Sequence, residues 1–257
     1  MSHTRRTVLV ALLAGAIIGC SDDDGPGQFR YPLKVGATWN YTRTWYTGPD
    51  MDSLGLALLE PVRVSIGAKE NLPTVGESFR MDVAHPDDPG VTGAVYYQNT
   101  DAGLWQVAYC PAGGVVTPKH GLGTEVAEIM RQLDLASPLI CKGPPTIDSE
   151  PDKSLPYPLR IGQQWHFRSV EEIPMSIDKR ITGWNEVEVP AGKFNAYRVE
   201  WIYSSGVNAS IVDDIASVGL VRRQATIRFQ INDPVNPGQY LENISYDVLE
   251  LDSLRLR

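Results

Sequence analysis

The chain is short of the residues that announce chemistry. It has 3 Cys and 4 His among 257 residues, and no His has a second His or a Cys at zinc-ligand spacing. A Gly-x-Ser-x-Gly nucleophile elbow is missing, as is a glycine loop that could cradle a phosphate, so neither signature points to an enzyme. A basic surplus is missing too: 23 Lys and Arg face 31 Asp and Glu, for a net charge of −8. Such a surface suits neither the phosphates of nucleic acid nor anionic lipid heads. The apolar run Val8 to Ile18 is about half the ~20 residues that a spanning helix needs. No cofactor motif and no metal site is expected. His3 lies in the leader, and His85, His120 and His166 are expected to have no zinc or catalytic role, with His166 turned away from Trp165 and Phe167 towards solvent.

What is present begins at the amino terminus. Arg5 and Arg6 precede the short apolar run, which is the build of a secretory signal peptide. Ile17-Ile18-Gly19-Cys20 resembles a lipobox. The resemblance implies that residues 1–19 are removed and that Cys20 carries a diacylglyceryl thioether and an acylated amino group. Two or more chains anchor stably where one does so marginally. The alternative is an ordinary secretory signal in which Cys20 falls by chance. Thr4 to Leu9 is also similar to a twin-arginine signal, so either export route stays open. Residues 20–30 are polar and rich in Gly and Pro at their start, and predict a disordered tether. Asp22, Asp23 and Asp24 lack the rest of a calcium loop. Ser21 resembles the residue after the Cys in lipoproteins passed to the outer membrane. The expected address is the cell envelope, with the body in the periplasm or at the surface.

Cys110 and Cys141 remain. In an oxidising compartment two leftover Cys are expected to pair. The loop closed would be about 30 residues, which the chain-entropy picture values at roughly 3–4 kcal/mol. Two buried free thiols are the alternative.

The body contains a repeat. Tyr31-Pro-Leu-Lys-Val-Gly-Ala-Thr-Trp-Asn-Tyr41 aligns without a gap on Tyr157-Pro-Leu-Arg-Ile-Gly-Gln-Gln-Trp-His-Phe167. Ala102-Gly103-Leu104-Trp105 resembles Val218-Gly219-Leu220-Val221 more weakly. One supersecondary plan used twice is the physical reading of such spacing. Tyr197, Val199, Trp201 and Tyr203 alternate with polar residues, as do Ala225, Ile227, Phe229 and Ile231, and Ile244, Tyr246 and Val248. A period of two with one apolar face predicts half-buried strands. The fold class expected is mainly β: two tandem antiparallel meander units over 31–117 and 154–257, or one curved half-barrel. Between them, 118–153 should hold a short helix at Thr124 to Leu133 and an irregular proline-rich connector from Pro138 to Pro158. Trp39 and Trp165 are read as core residues at strand starts, with a carbohydrate- or lipid-binding aromatic as the alternative.

The Tyr-Pro-Leu-x-x-Gly-x-x-Trp stretch, with Val189-Pro190-Ala191-Gly192-Lys193-Phe194 and Val218-Gly219-Leu220-Val221, resembles a class of β-rich bacterial envelope lipoproteins. That class brings no established catalytic residues. A looser likeness is to lipoprotein carriers with a curved sheet half-closed around a lipid cavity, which is analogy of fold alone. Ser176 and Lys179 have Ser-x-x-Lys spacing but lack the companion motifs. Asp87-Asp88, Glu171-Glu172 and Asp213-Asp214 are read as surface or loop acids, since strand neighbours point to opposite faces. Asp213 and Asp214, placed in a loop, are a weak cation candidate. The function expected is a non-catalytic binding, interaction or scaffold module on a lipid anchor, its partners the membrane and envelope proteins. A carrier of a lipid or other apolar ligand is the alternative.

Overall fold

The alternation of apolar and polar residues becomes twelve strands in the computed structural model, which describes residues 29–256 apart from 87, 111–143, 171–174, 205–207, 234 and 237. They are β1 (Thr38–Gly48), β2 (Gly55–Leu72), β3 (Gly76–His85), β4 (Asp88–Thr100), β5 (Gly103–Tyr109) and β6 (Thr146–Pro156), then β7 (Gln164–Val170), β8 (Met175–Val189), β9 (Gly192–Tyr203), β10 (Ala209–Ala216), β11 (Gly219–Asn232) and β12 (Tyr240–Arg255). A single 3-10 turn at Met51–Ser53 is the only helical piece among the described residues, and the Asp50 side chain caps it.

All twelve strands form one antiparallel sheet in the order β6-β5-β4-β3-β2-β1-β12-β11-β10-β9-β8-β7. The expectation of two tandem units is corrected here. Each set of six has an apolar inner face that it cannot cover alone, and pairing β1 with β12 joins the sets into a single curved wall. The curved-sheet alternative is nearer the truth, and the curve goes well past half. The end strands β6 and β7 meet without a backbone ladder. Trp165 Nε1 donates to the Lys153 carbonyl at 2.8 Å and Arg168 Nε to Asp152 at 2.7 Å. Side chains close a seam that hydrogen-bonded strands close elsewhere, giving a nearly closed barrel. The expected helix lies outside the described residues.

The two aligned stretches take the same local structure. Gly36 and Gly162 both have φ of 85°, a left-handed conformation that a side chain disfavours. Gly36 N donates to Ile66 O at 2.8 Å, and Gly162 N to Ile181 O at 2.7 Å. Each accepting strand has a bulge just beyond that residue, at Ile66/Ala68 and Ile181/Gly183. Trp39 and Trp165 are buried, as expected of core residues.

Residues 146–156, expected in the irregular connector, form β6 instead. Its prolines are tolerated because β6 pairs on one side only and the ladder is broken by two register shifts, where a missing N–H costs little. On β12 Ile244 is buried as expected, but the pattern reverses beyond it. Ser245, Asp247, Leu249 and Leu251 are buried there, while Tyr246 and Val248 are only partly so. Asp247 can face inward because Arg43 Nε donates to it at 2.8 Å, and Ser245 because Trp45 Nε1 donates to it at 2.7 Å. Outside, charge pairs such as Lys69–Glu77 and Arg180–Glu200 cross between strands in partly exposed positions.

Candidate functional site

A cavity of about 130 Å³ lies inside the barrel, and each of the twelve strands contributes to its wall, from Tyr41 on β1 to Leu249 on β12. Only a sheet that wraps around its own axis can do that. Most of the wall is apolar, with a polar belt on one side made by Lys179, Asp213 and Arg223.

The belt has a simple origin in the strand period. On β8 the inward residues run Ile177, Lys179, Ile181; on β10, Ile211, Asp213, Ile215; on β11, Val221, Arg223, Ala225. In each strand one charge stands between two apolar neighbours on the same face. Ile177, Ile211 and Ala225 belong to one apolar cluster with Phe167 and Trp201. Ile181, Ile215 and Val221 belong to the larger cluster with Trp39 and Trp165. The three charges therefore form a layer that divides the barrel core in two.

Within the layer, Asp213 is saturated. Arg223 Nε donates to its Oδ1 at 2.6 Å, while Arg223 Nη2 and Trp201 Nε1 donate to its Oδ2 at 3.0 and 2.9 Å. Burial works to raise the Asp213 carboxyl, but the Arg223 guanidinium outweighs it and holds the pKa below the ordinary range. Arg168 holds Asp152 in the neighbouring seam. There burial wins over Arg168 and the carboxyl is raised. Tyr97, also in the wall, is pushed up to about 12, first by burial.

Lys179 is the exception. It is 6% exposed, and among the described residues its ammonium makes no hydrogen bond or ion pair. Instead Nζ lies 3.6 Å from the centre of the Phe167 ring and 4.0 Å from that of Trp201. Two aromatic faces attract a cation, but they do not replace its hydration. Burial lowers its pKa to about 7, against the pull of Asp213.

The residues singled out by sequence scatter around this site. Asp213 and Asp214 sit on β10, not in a loop, and they do point to opposite sides of the wall. Asp214 is held by Arg222 at 2.8 Å, with Arg198 3.6 Å away, so arginines occupy both candidate cation ligands. Among the described residues no group of three or more His, Cys, Asp or Glu could hold a metal. Ser176 and Lys179 are three apart on a strand and so do not share a face. His166 is exposed, as expected; Nδ1 is 3.1 Å from Asp178 and Nε2 is 3.1 Å from Ser169 Oγ. A bulge between His166 and Arg168 puts Ser169 on that side. This Ser–His–Asp chain lies on the outer face of the strands that send Phe167 and Lys179 into the cavity. Water reaches the imidazole and the carboxylate, where a hydrolase holds its acid buried. Cys110 is buried with Ala94, Tyr96 and Val107 in a third cluster. Cys20, Cys141, His3, His120 and Glu171-Glu172 lie outside the described residues. Sequence reasoning missed Lys179 and Arg223 as site residues. The available signal was one charge on the apolar face of an alternating strand, repeated on neighbouring strands.

No family model matches the chain, and no curated protein matches it. Among the solved structures that resemble it are two bacterial proteins. One is a Bacteroides fragilis protein named for export and for a YmcC-like fold, at 12% identity over 88% of this chain and 99% of that one, with a TM-score of 0.42. The other, from Parabacteroides distasonis, carries the name of a lipoprotein, at 14% identity over 89% and 99%, with a TM-score of 0.43. At such scores neither a fold nor an activity transfers.

Proposed function

We propose that this chain is a non-catalytic envelope lipoprotein, anchored through Cys20, whose barrel binds a small and largely apolar molecule in its lumen. The observation that carries the binding reading is the mainly apolar cavity of about 130 Å³, walled by all twelve strands. Pockets for drug-sized ligands are roughly 300–1,000 Å³, so a whole membrane lipid is too large. An engineered cavity of about 150 Å³ takes up benzene, and that is the scale of guest this lumen fits. The anchor rests on the lipobox-like Ile17 to Cys20, and the address on the signal peptide before it.

The test of binding is toluene-dependent thermal shift on the full chain in lipid nanodiscs, beside Val95→Phe, which fills the cavity wall. Stabilisation of the natural chain and none of the variant is the expected result. Equal response of both removes the lumen from the argument. Anchoring is tested by Cys20→Ser, which should release the body from sedimenting envelopes. Mass spectrometry without reductant should find Cys110 joined to Cys141.

A second reading, interaction with another envelope protein, has one observation in its favour. Leu56, Leu59 and Tyr240 are 60%, 62% and 66% exposed on the adjacent β1–β2 and β11–β12 hairpins. Leu59→Glu should abolish a specific crosslinked partner if one docks there. An unchanged crosslinking pattern removes this reading.

A further inference from the structure

We infer that the guest of the lumen is a small carboxylate, its apolar body in the cavity and its carboxyl group paired with the ammonium of Lys179. The inference rests on the binding reading above and names the chemistry of the head.

Lys179 carries a charge that its surroundings leave unmatched among the described residues. Groups that face Lys179 come from four strands: Asp213 on β10, Arg223 on β11, and Arg168 and Asp152 across the β6–β7 seam. Asp213 is fully engaged by Arg223 and Trp201, and Asp152 is engaged by Arg168. Among the described residues both carboxylates that face Lys179 already have a guanidinium, and Lys179 is the cation left over. Tyr97, nearby in the wall, is neutral far above physiological pH. The rings of Phe167 and Trp201 flank Nζ at 3.6 and 4.0 Å, and offer it π faces and no acceptor atom. A buried cation without an acceptor is costly, and a partner that supplies one oxygen anion recovers that cost. A second cation has no place beside Arg223, Arg168 and Lys179. A dianion such as a phosphate ester would leave one charge unmatched, since the surplus is a single cation. One carboxylate on an apolar body of benzene size fits both the volume and the charge.

Lys179 must be protonated to pair. Its lowered pKa makes the free amine abundant above neutral pH, so guest binding draws a proton to Nζ. Affinity for the carboxylate then falls as pH rises, while affinity for a neutral guest does not.

The experiment is calorimetric titration of the full chain in lipid nanodiscs, with empty nanodiscs as the blank, using benzoate, benzyl alcohol and benzylamine. Benzoate should bind most tightly. Its affinity should drop about tenfold or more in Lys179→Met, the scale of a lost charged hydrogen bond, and about tenfold between pH 6 and pH 9 in the natural chain. Benzyl alcohol should change little in either comparison. The pH series needs no variant, so a misfolded Lys179→Met would not decide the matter. Equal binding of benzoate and benzyl alcohol, with no effect of pH, overturns the carboxylate and leaves the binding lumen standing. Tighter binding of benzylamine overturns the sign of the site. Binding of none of the three overturns the lumen reading together with this one.

Discussion

Lys179 stands beside Asp213 and does not pair with it. The carboxylate has already given both oxygens to Arg223 and Trp201, so the ammonium is left against two rings. A buried base with a lowered pKa should register in stability. Its pKa is about 7 folded and 10.5 in the open chain. Between those values the unfolded chain holds the proton and the folded chain does not, so stability rises with pH across that window. At pH 7 and below the cost of burying this group is on the order of 5 kcal/mol at most. Lys179→Met should therefore be the more stable protein near pH 6–7. Its advantage should shrink towards pH 10, as read by urea unfolding at several pH values. An advantage that is the same at every pH would show that the group is hydrated after all.

Asp213 should behave in the opposite way. Removing it by Asp213→Ala leaves Arg223 buried without a counter-charge, which costs roughly 3–5 kcal/mol. The double variant Asp213→Leu with Arg223→Met should recover most of that loss, because a satisfied apolar layer replaces a broken ionic one. Urea unfolding of the single and double variants gives the coupling. Losses that simply add would mean that the pair is not a unit.

Glycine at the β4–β5 turn should be less replaceable than glycine at the β2–β3 turn. Both have positive φ, but a Cβ at Gly103 would come within 2.3 Å of the Leu155 carbonyl on β6, while one at Gly76 meets nothing within 4 Å. Gly76→Ala should cost only its backbone strain, about 1 kcal/mol. Gly103→Ala should cost clearly more, and hydrogen exchange should show the added protection loss on β6. Equal costs would place β6 further from the turn than it is here.

The Ser169–His166–Asp178 chain should be inert. A fluorophosphonate ester should leave Ser169 unlabelled, and His166→Ala should shift stability by no more than about 1 kcal/mol, as surface pairs do. Labelling at Ser169 that His166→Ala abolishes would make the outer face an esterase site.

Much of this wall was legible in the chain. The faces of β9 and β11 follow from alternation, because Val199, Trp201, Ala225 and Ile227 obey a plain apolar period. On β12 the reading holds at Ile244, which is buried, and is reversed from Ser245 onward. Ile244, Tyr246 and Val248 are the more apolar set, and nothing local shows that Asp247 would meet Arg43 from a strand some 200 positions earlier. β6 was missed for a related reason: proline counts against a strand, unless the strand is an edge, and whether it is an edge is a property of the whole sheet. The belt around Lys179 was visible as an irregularity on each strand, but its meaning depends on three strands being aligned.

The pairing of β1 with β12 sets a timetable as well as a shape. During synthesis the first strand emerges earliest and the strand that covers one of its sides emerges last. Until then β1 offers a bare row of amides and carbonyls, and the lumen has no second half. The barrel is thus a structure that cannot be finished in instalments, and a nascent chain stopped short of Tyr240 should have neither a sealed wall nor a place for a guest.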